Sequence, residues 1–131
     1  MPPPNPSFDG ARDWLARARG KLALARTPLP PGGYWEDLCF LAQQAAELAI
    51  KAVYRHHGWP FARVHDLGAL LDGLVLQGIG IPSVVEDADQ LNVYAVQARY
   101  PGISEPVSES EYVDAMRIAE AIVAWAEESI P

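Results

Sequence analysis

The chain has 131 residues, 10 Lys and Arg against 17 Asp and Glu, a formal charge of −7, and a composition that is half hydrophobic. That is the length of one domain with enough apolar material for a single core, and it contains no apolar run near the ~18–20 residues of a membrane span. A lone cysteine, Cys39, excludes an intramolecular disulfide and a cysteine-based zinc site, and the net negative charge argues against charge-driven coating of DNA.

The start, Met1-Pro2-Pro3-Pro4-Asn5-Pro6, has no signal-peptide h-region. Residues 1–7 are expected to form a flexible Pro-rich N-terminus ahead of a single helical domain over 8–131, in a reducing cytoplasm. Pro/Gly clusters at 1–6, 28–33, 58–60, 78–82 and 101–106 separate five segments of helical periodicity, none of them with the period of a strand. The first, about Phe8 to Arg26, puts Phe8, Trp14, Leu15, Ala18, Leu22 and Ala25 on one stripe, with Ser7 as N-cap. Pro28 closes it by pushing Thr27 out of the α region.

The second helix, about Tyr34 to His57, carries a wide apolar face of Leu38, Cys39, Ala42, Ala45, Ala46, Ala49, Ile50 and Val53. Glu47, Lys51 and Arg55 step by four along its polar side, and Gly58 stops it. The third, Asp66 to Gln77, takes Asp66 as N-cap and turns Leu67, Leu70, Leu71, Leu74 and Val75 inward. Capping boxes at Ser83-Val84-Val85-Glu86 and Ser108-Glu109-Ser110-Glu111 open a fourth helix to about Arg99 and a fifth to about Ser129. The expected fold is all-α: an antiparallel up-and-down bundle of about five helices, a four-helix core plus a short helix.

Charge divides unevenly. Residues 1–65 hold eight basic and five acidic side chains, whereas residues 66–131 hold two basic and twelve acidic ones. One surface can therefore stay positive despite the overall sign, although acidic residues that merely solvate the later helices give the same count.

Phosphate-loop, dinucleotide, zinc-protease and serine-hydrolase signatures are all absent. His56 and His57 are adjacent, so on a helix they point about 100° apart, which is poor metal-ligand geometry. Neither a metal nor another cofactor is expected. The carboxylate pairs Glu36/Asp37, Asp87/Asp89 and Glu127/Glu128 suit helix first turns or solvated faces, and no nucleophile stands out.

Three stretches mix polar and apolar residues in a distinctive order. They are Cys39-Phe40-x-Ala42-Gln43-Gln44-Ala45-Ala46-Glu47-x-Ala49-x-Lys51-Ala52, then His65-Asp66-Leu67, then Leu91-Asn92-x-Tyr94-x-x-x-Ala98-Arg99-Tyr100-Pro101-Gly102. Together they resemble a HEPN domain (higher eukaryote and prokaryote nucleotide-binding domain), over residues 8–129. The resemblance implies a helical bundle that commonly forms homodimers. It also implies a stand-alone prokaryotic protein paired with a minimal nucleotidyltransferase in a toxin–antitoxin-like system. Many such domains are metal-independent ribonucleases that use an Arg-x4-6-His motif, the arginine on the phosphate and the histidine as acid/base.

This sequence lacks that motif: no arginine has a histidine five to seven positions later, and Lys51-x4-His56 lacks the guanidinium fork. The expectation is a dimeric nucleotide- or RNA-associated protein without the usual ribonuclease chemistry. The alternatives are an atypical ribonuclease, with His65 or His56 as acid/base, and a plain nucleotide-binding module. Arg99 is a candidate phosphate ligand with Tyr94 or Tyr100 stacking a base; it could equally satisfy helix carbonyls or pair with Glu47 or Asp66. Lys51, Arg55 and Arg63 extend the positive strip of Arg12 and Arg19, or form a solvated face. Asn92 and Gln44 are placed to hydrogen-bond across the bundle.

Overall fold

Helix α1 spans Ala11–Ala25, with Gly10 in extended conformation as its N-cap. The computed structural model describes residues 10–97 and 105–131, so the expected cap Ser7 and the expected first stripe residue Phe8 lie outside the described residues. Leu15, Ala18, Leu22 and Ala25 recur at three- and four-residue steps and are buried, as an amphipathic helix requires.

Helix α2 (Trp35–His57) is the spine of the molecule. Its alanines 42, 45, 46, 49 and 52 are completely buried, which lets neighbouring backbones approach from several sides. Its most extensive packing is against α1 and then α5. The end is set by Gly58 at φ 70°, a left-handed conformation that glycine adopts without a Cβ penalty. The N–H groups of Gly58 and Trp59 donate to the carbonyls of Arg55 and Tyr54 there.

Helix α3 (Leu67–Leu76) is capped as expected, Asp66 Oδ1 accepting from the Ala69 N–H at 3.1 Å. Leu67, Leu70, Leu71 and Leu74 are buried, and burial of each such side chain stabilises the fold by about 1.5–3 kcal/mol. Val75, expected to face inward, is 53% exposed. It lies about 100° around the helix from Leu74.

The expected fourth helix is corrected. Residues 83–85 form turns, Glu86–Leu91 form a 3₁₀ segment, and only Tyr94–Gln97 form a short α4. Val85, not Ser83, precedes the 3₁₀ segment, and no side chain caps it. The cause is spacing: Val85, Ala88 and Leu91 are all fully buried, and a three-residue repeat stays on one face only at three residues per turn.

Helix α5 (Glu109–Ser129) begins at a complete capping box, Ser108 with Glu111. Arg12 donates to the Pro131 carbonyl, Arg19 pairs with Glu127 and Arg26 with Glu120, so α1 and α5 run antiparallel. Trp35 meets Tyr112, and Glu36 Oε1 accepts from the Val107 N–H, so α2 and α5 start at the same end and run parallel. Among the described residues the fold is all-helical, a bundle built around α2 with no strand.

Candidate functional site

The ladder of Gln43, Glu47 and Lys51, spaced four residues apart on α2, turns toward the loop that leads into α3. Glu47 is its centre. Gln43 Nε2 donates to Glu47 Oε1 at 3.1 Å, and Lys51 Nζ donates to Oε2 at 3.0 Å. His65 Nδ1 donates to Oε1 at 2.9 Å and reaches Oε2 at 3.1 Å. An ionised carboxylate only accepts, so the proton of a neutral His65 sits on Nδ1 and leaves Nε2 as the acceptor.

Burial pushes the Glu47 pKa up, but the hydrogen bonds from His65, Lys51 and Gln43 and the charge of Lys51 outweigh it, so the net shift is downward. Glu47 and Lys51 side chains are only 14% and 10% exposed, whereas His65 is 69% exposed. A largely covered ion pair therefore carries an accessible imidazole at its rim.

A second polar link closes the other side of this cleft. Asn92 Oδ1 accepts from the Leu67 N–H at 2.9 Å, and Asn92 Nδ2 donates to Asp66 Oδ1 at 3.0 Å. One amide thus ties the turn before α4 to the start of α3. Between these groups lies an open cleft of about 320 Å³ walled by Phe40, Gln43, Gln44, Glu47, His65, Asp66, Asn92, Ala95 and Val96.

The sequence-derived candidates are distributed as follows. His65 lies on this cleft, beside Lys51, which is buried and paired with Glu47 instead of standing on a solvated strip. Tyr94 is buried in the core, where burial above all, with nearby Cys39, Glu111 and Asp114, pushes its pKa to about 12. Its ring belongs to the packing, not to a surface on which a base stacks. Arg99 and Tyr100 lie outside the described residues.

His56 is exposed at the end of α2, edge-on to His57 and away from His65. Arg55 and Arg63 line a separate pocket with Trp59 and Phe61. Arg12 is engaged with Pro131 and Arg19 with Glu127 on α5, so the anticipated continuous basic strip is broken into pieces. Among the described residues no group of three or more His, Cys, Asp or Glu is arranged to hold a metal ion.

Two residues at the centre do not stand out in the sequence. Glu47 reads as one step on the polar side of its helix, and Gln44 reads as the cross-bundle amide, whereas Gln43 is the one that is 1% exposed. The i, i+4, i+8 spacing of Gln43, Glu47 and Lys51 was the available signal, since three polar groups on one face of a helix this apolar need partners of their own.

With this geometry in place, comparison with known proteins gives a consistent result. A family model described as HEPN domain matches residues 11–129. Among solved structures, the crystal structure of an archaeal HEPN homologue is similar at 28% sequence identity and a TM-score of 0.73, covering 93% of this chain and 98% of that chain. No curated protein matches the chain.

Proposed function

The chain belongs to the HEPN domain family, and on that premise we propose that it works by binding and not by cleaving RNA. In this proposal it is a homodimeric, nucleotide- or RNA-associated partner of a minimal nucleotidyltransferase, in a toxin–antitoxin-like pair within the cytoplasm. The observation that carries the first part is chemical. None of its arginines is followed at five to seven positions by a histidine, so the phosphate-binding fork and the proton-transfer group that the family's ribonucleases join in one motif are not joined here.

The cleft supports the same reading. The charged residues that line it, Glu47 and Asp66, are both acidic and do not make an anion site, and Lys51 is already committed to Glu47. We assign the phosphate contact to Arg99, which follows α4 in the sequence and is one of two cations in the acidic second half. Phe40 and Val96 on the cleft, with exposed Val93 nearby, supply apolar surface for a second copy of the chain. The acidic second half suits a basic face on the nucleotidyltransferase.

Co-expression with a minimal nucleotidyltransferase from a neighbouring gene tests the partnership. A complex that co-elutes on size exclusion, with a mass containing two copies of this chain, is the expected result. Separate elution of the two proteins, or the absence of such a neighbouring gene, overturns it.

One observation favours a second reading. His65 is oriented through Nδ1 by a carboxylate, with Nε2 presented outward, which is how a general base is commonly held. In that reading Nε2 takes the proton of an RNA 2′-hydroxyl as its oxygen attacks phosphorus, and a second group protonates the departing 5′-oxygen. An RNA cleavage assay with His65→Ala separates the two readings.

A further inference from the structure

The end of the bundle opposite the capping box of α5 carries a pocket that the proposed function leaves unused. It measures about 490 Å³ and is lined by Arg55, Gly58, Trp59, Pro60, Phe61 and Arg63. Among the described residues, two of these six are arginines, two are aromatic and none is acidic, in a protein whose overall charge is −7. We propose that this pocket is a nucleotide subsite, in which a phosphate meets Arg55 and Arg63 while the attached base stacks on Trp59.

The arginine geometry favours this. The Arg55 guanidinium lies 4.6 Å from the Trp14 ring centroid and 5.8 Å from that of Phe61, so aromatic faces fix its plane. A pre-oriented guanidinium loses little freedom on meeting a phosphate. Arg63 is exposed on the loop opposite and adds a second fork.

The stacking half rests on Trp59. His57 lies almost parallel to its ring, 4.2 Å away with an interplanar angle of 12°. His57 thus covers one face of the indole and holds the ring in place, while Trp59 itself lines the pocket, where a base can stack on it. The helix end does not oppose an anion strongly, because Gly58 and Trp59 cap the carbonyls of Arg55 and Tyr54, and His56 and His57 stand in the same last turn.

The ligand class, a phosphate next to a base, rests on the nucleotide-associated reading above; the position of the subsite does not. A free nucleotide and a single strand of RNA share that chemistry, and the probes distinguish them. Binding is measured for inorganic phosphate, adenosine 5′-monophosphate and a six-nucleotide oligoadenylate RNA, on wild type, Arg63→Glu, Arg63→Ala and Trp59→Leu. Circular dichroism verifies that each variant is folded.

Arg63→Glu is expected to weaken the nucleotide or the RNA at least about tenfold, as loss of a charge-assisted contact implies. Trp59→Leu is expected to weaken the same probe while leaving phosphate unchanged. Comparable affinity for the mononucleotide and the RNA assigns a free nucleotide. Clearly tighter RNA, with a slope of log K against log salt near about −1.4 that falls to about half in Arg63→Ala, assigns a strand held by two arginines. Failure of every probe to bind, or binding indifferent to Arg63→Glu or to Trp59→Leu, overturns the subsite. Co-elution of Arg63→Glu with the nucleotidyltransferase is scored separately, so loss of the subsite and loss of the partnership are told apart.

Discussion

The Nδ1 of His65 is bound to the carboxylate of Glu47, at 2.9 Å from Oε1 and 3.1 Å from Oε2. This contact fastens the loop before α3 onto the middle of α2. The same carboxylate takes Lys51 and Gln43, so three side chains converge on one acid. Removing that acid affects both the packing of α2 and the position of the imidazole.

Glu47→Gln leaves Lys51 nearly buried without its counter-charge. A loss of about 2–4 kcal/mol in unfolding free energy is expected, toward the range seen when one partner of a buried pair is removed. Denaturant unfolding measures it, and Lys51→Met combined with Glu47→Gln should recover much of the loss. A change in Glu47→Gln below about 0.5 kcal/mol, the size of a surface-pair effect, would contradict the assignment.

The pH dependence follows from the same group. Its folded-state pKa lies below the ordinary carboxylate value of 4.5, with hydrogen bonds from His65, Lys51 and Gln43 overcoming the burial that opposes ionisation. Stability from a depressed acid is present above its unfolded value and is lost as pH falls through the folded value. The melting-temperature gap between wild type and Glu47→Gln should therefore be full above about pH 5 and shrink toward about pH 3. A gap that widens on acidification has the wrong sign.

Gly73 on α3 faces Tyr54 on α2 so closely that an added Cβ would collide with the tyrosine hydroxyl, which donates to the Leu70 carbonyl. Gly73→Ala should cost about 1–3 kcal/mol through this overpacking, despite the better helix propensity of alanine. In a Tyr54→Phe background, which removes the hydroxyl, the same substitution should cost less. Thermal melts of the four proteins form the cycle that tests the coupling.

Cys39 is fully buried, and burial above all, then the charges of Glu111 and Glu36, pushes its thiol pKa up to about 12. It should therefore resist a thiol reagent in the native protein and react only as the protein unfolds. Rapid labelling under native conditions would show that the α2 core opens.

The bundle was legible in the sequence wherever one helix face is buried against another. Leu15, Ala18 and Leu22 on α1 and Met116, Ala119 and Ile122 on α5 follow the helical period and are buried as expected. The capping residues Asp66 and Ser108 were equally readable, because a side-chain cap is a local interaction. The segment after Pro82 is ambiguous in the sequence because a four-residue capping pattern looks the same whether the chain continues as α-helix or tightens to 3₁₀. The three-residue spacing of Val85, Ala88 and Leu91 settles it only once their burial is known. In the cleft, His65 is readable as a candidate and the four-residue spacing of Gln43, Glu47 and Lys51 marks a polar face, but the pairing of Glu47 with His65 is not readable. The two stand eighteen residues apart, and no local pattern reports which partner a side chain meets across a loop.

Incubation of the purified protein with single-stranded RNA, beside a His65→Ala variant, tests most directly whether it binds without cleaving. We expect the RNA to remain intact with both proteins over many hours, while a gel shift shows that it is bound. Cleavage by the wild type that His65→Ala abolishes would contradict a binding role and install the Glu47-oriented imidazole as a catalytic base.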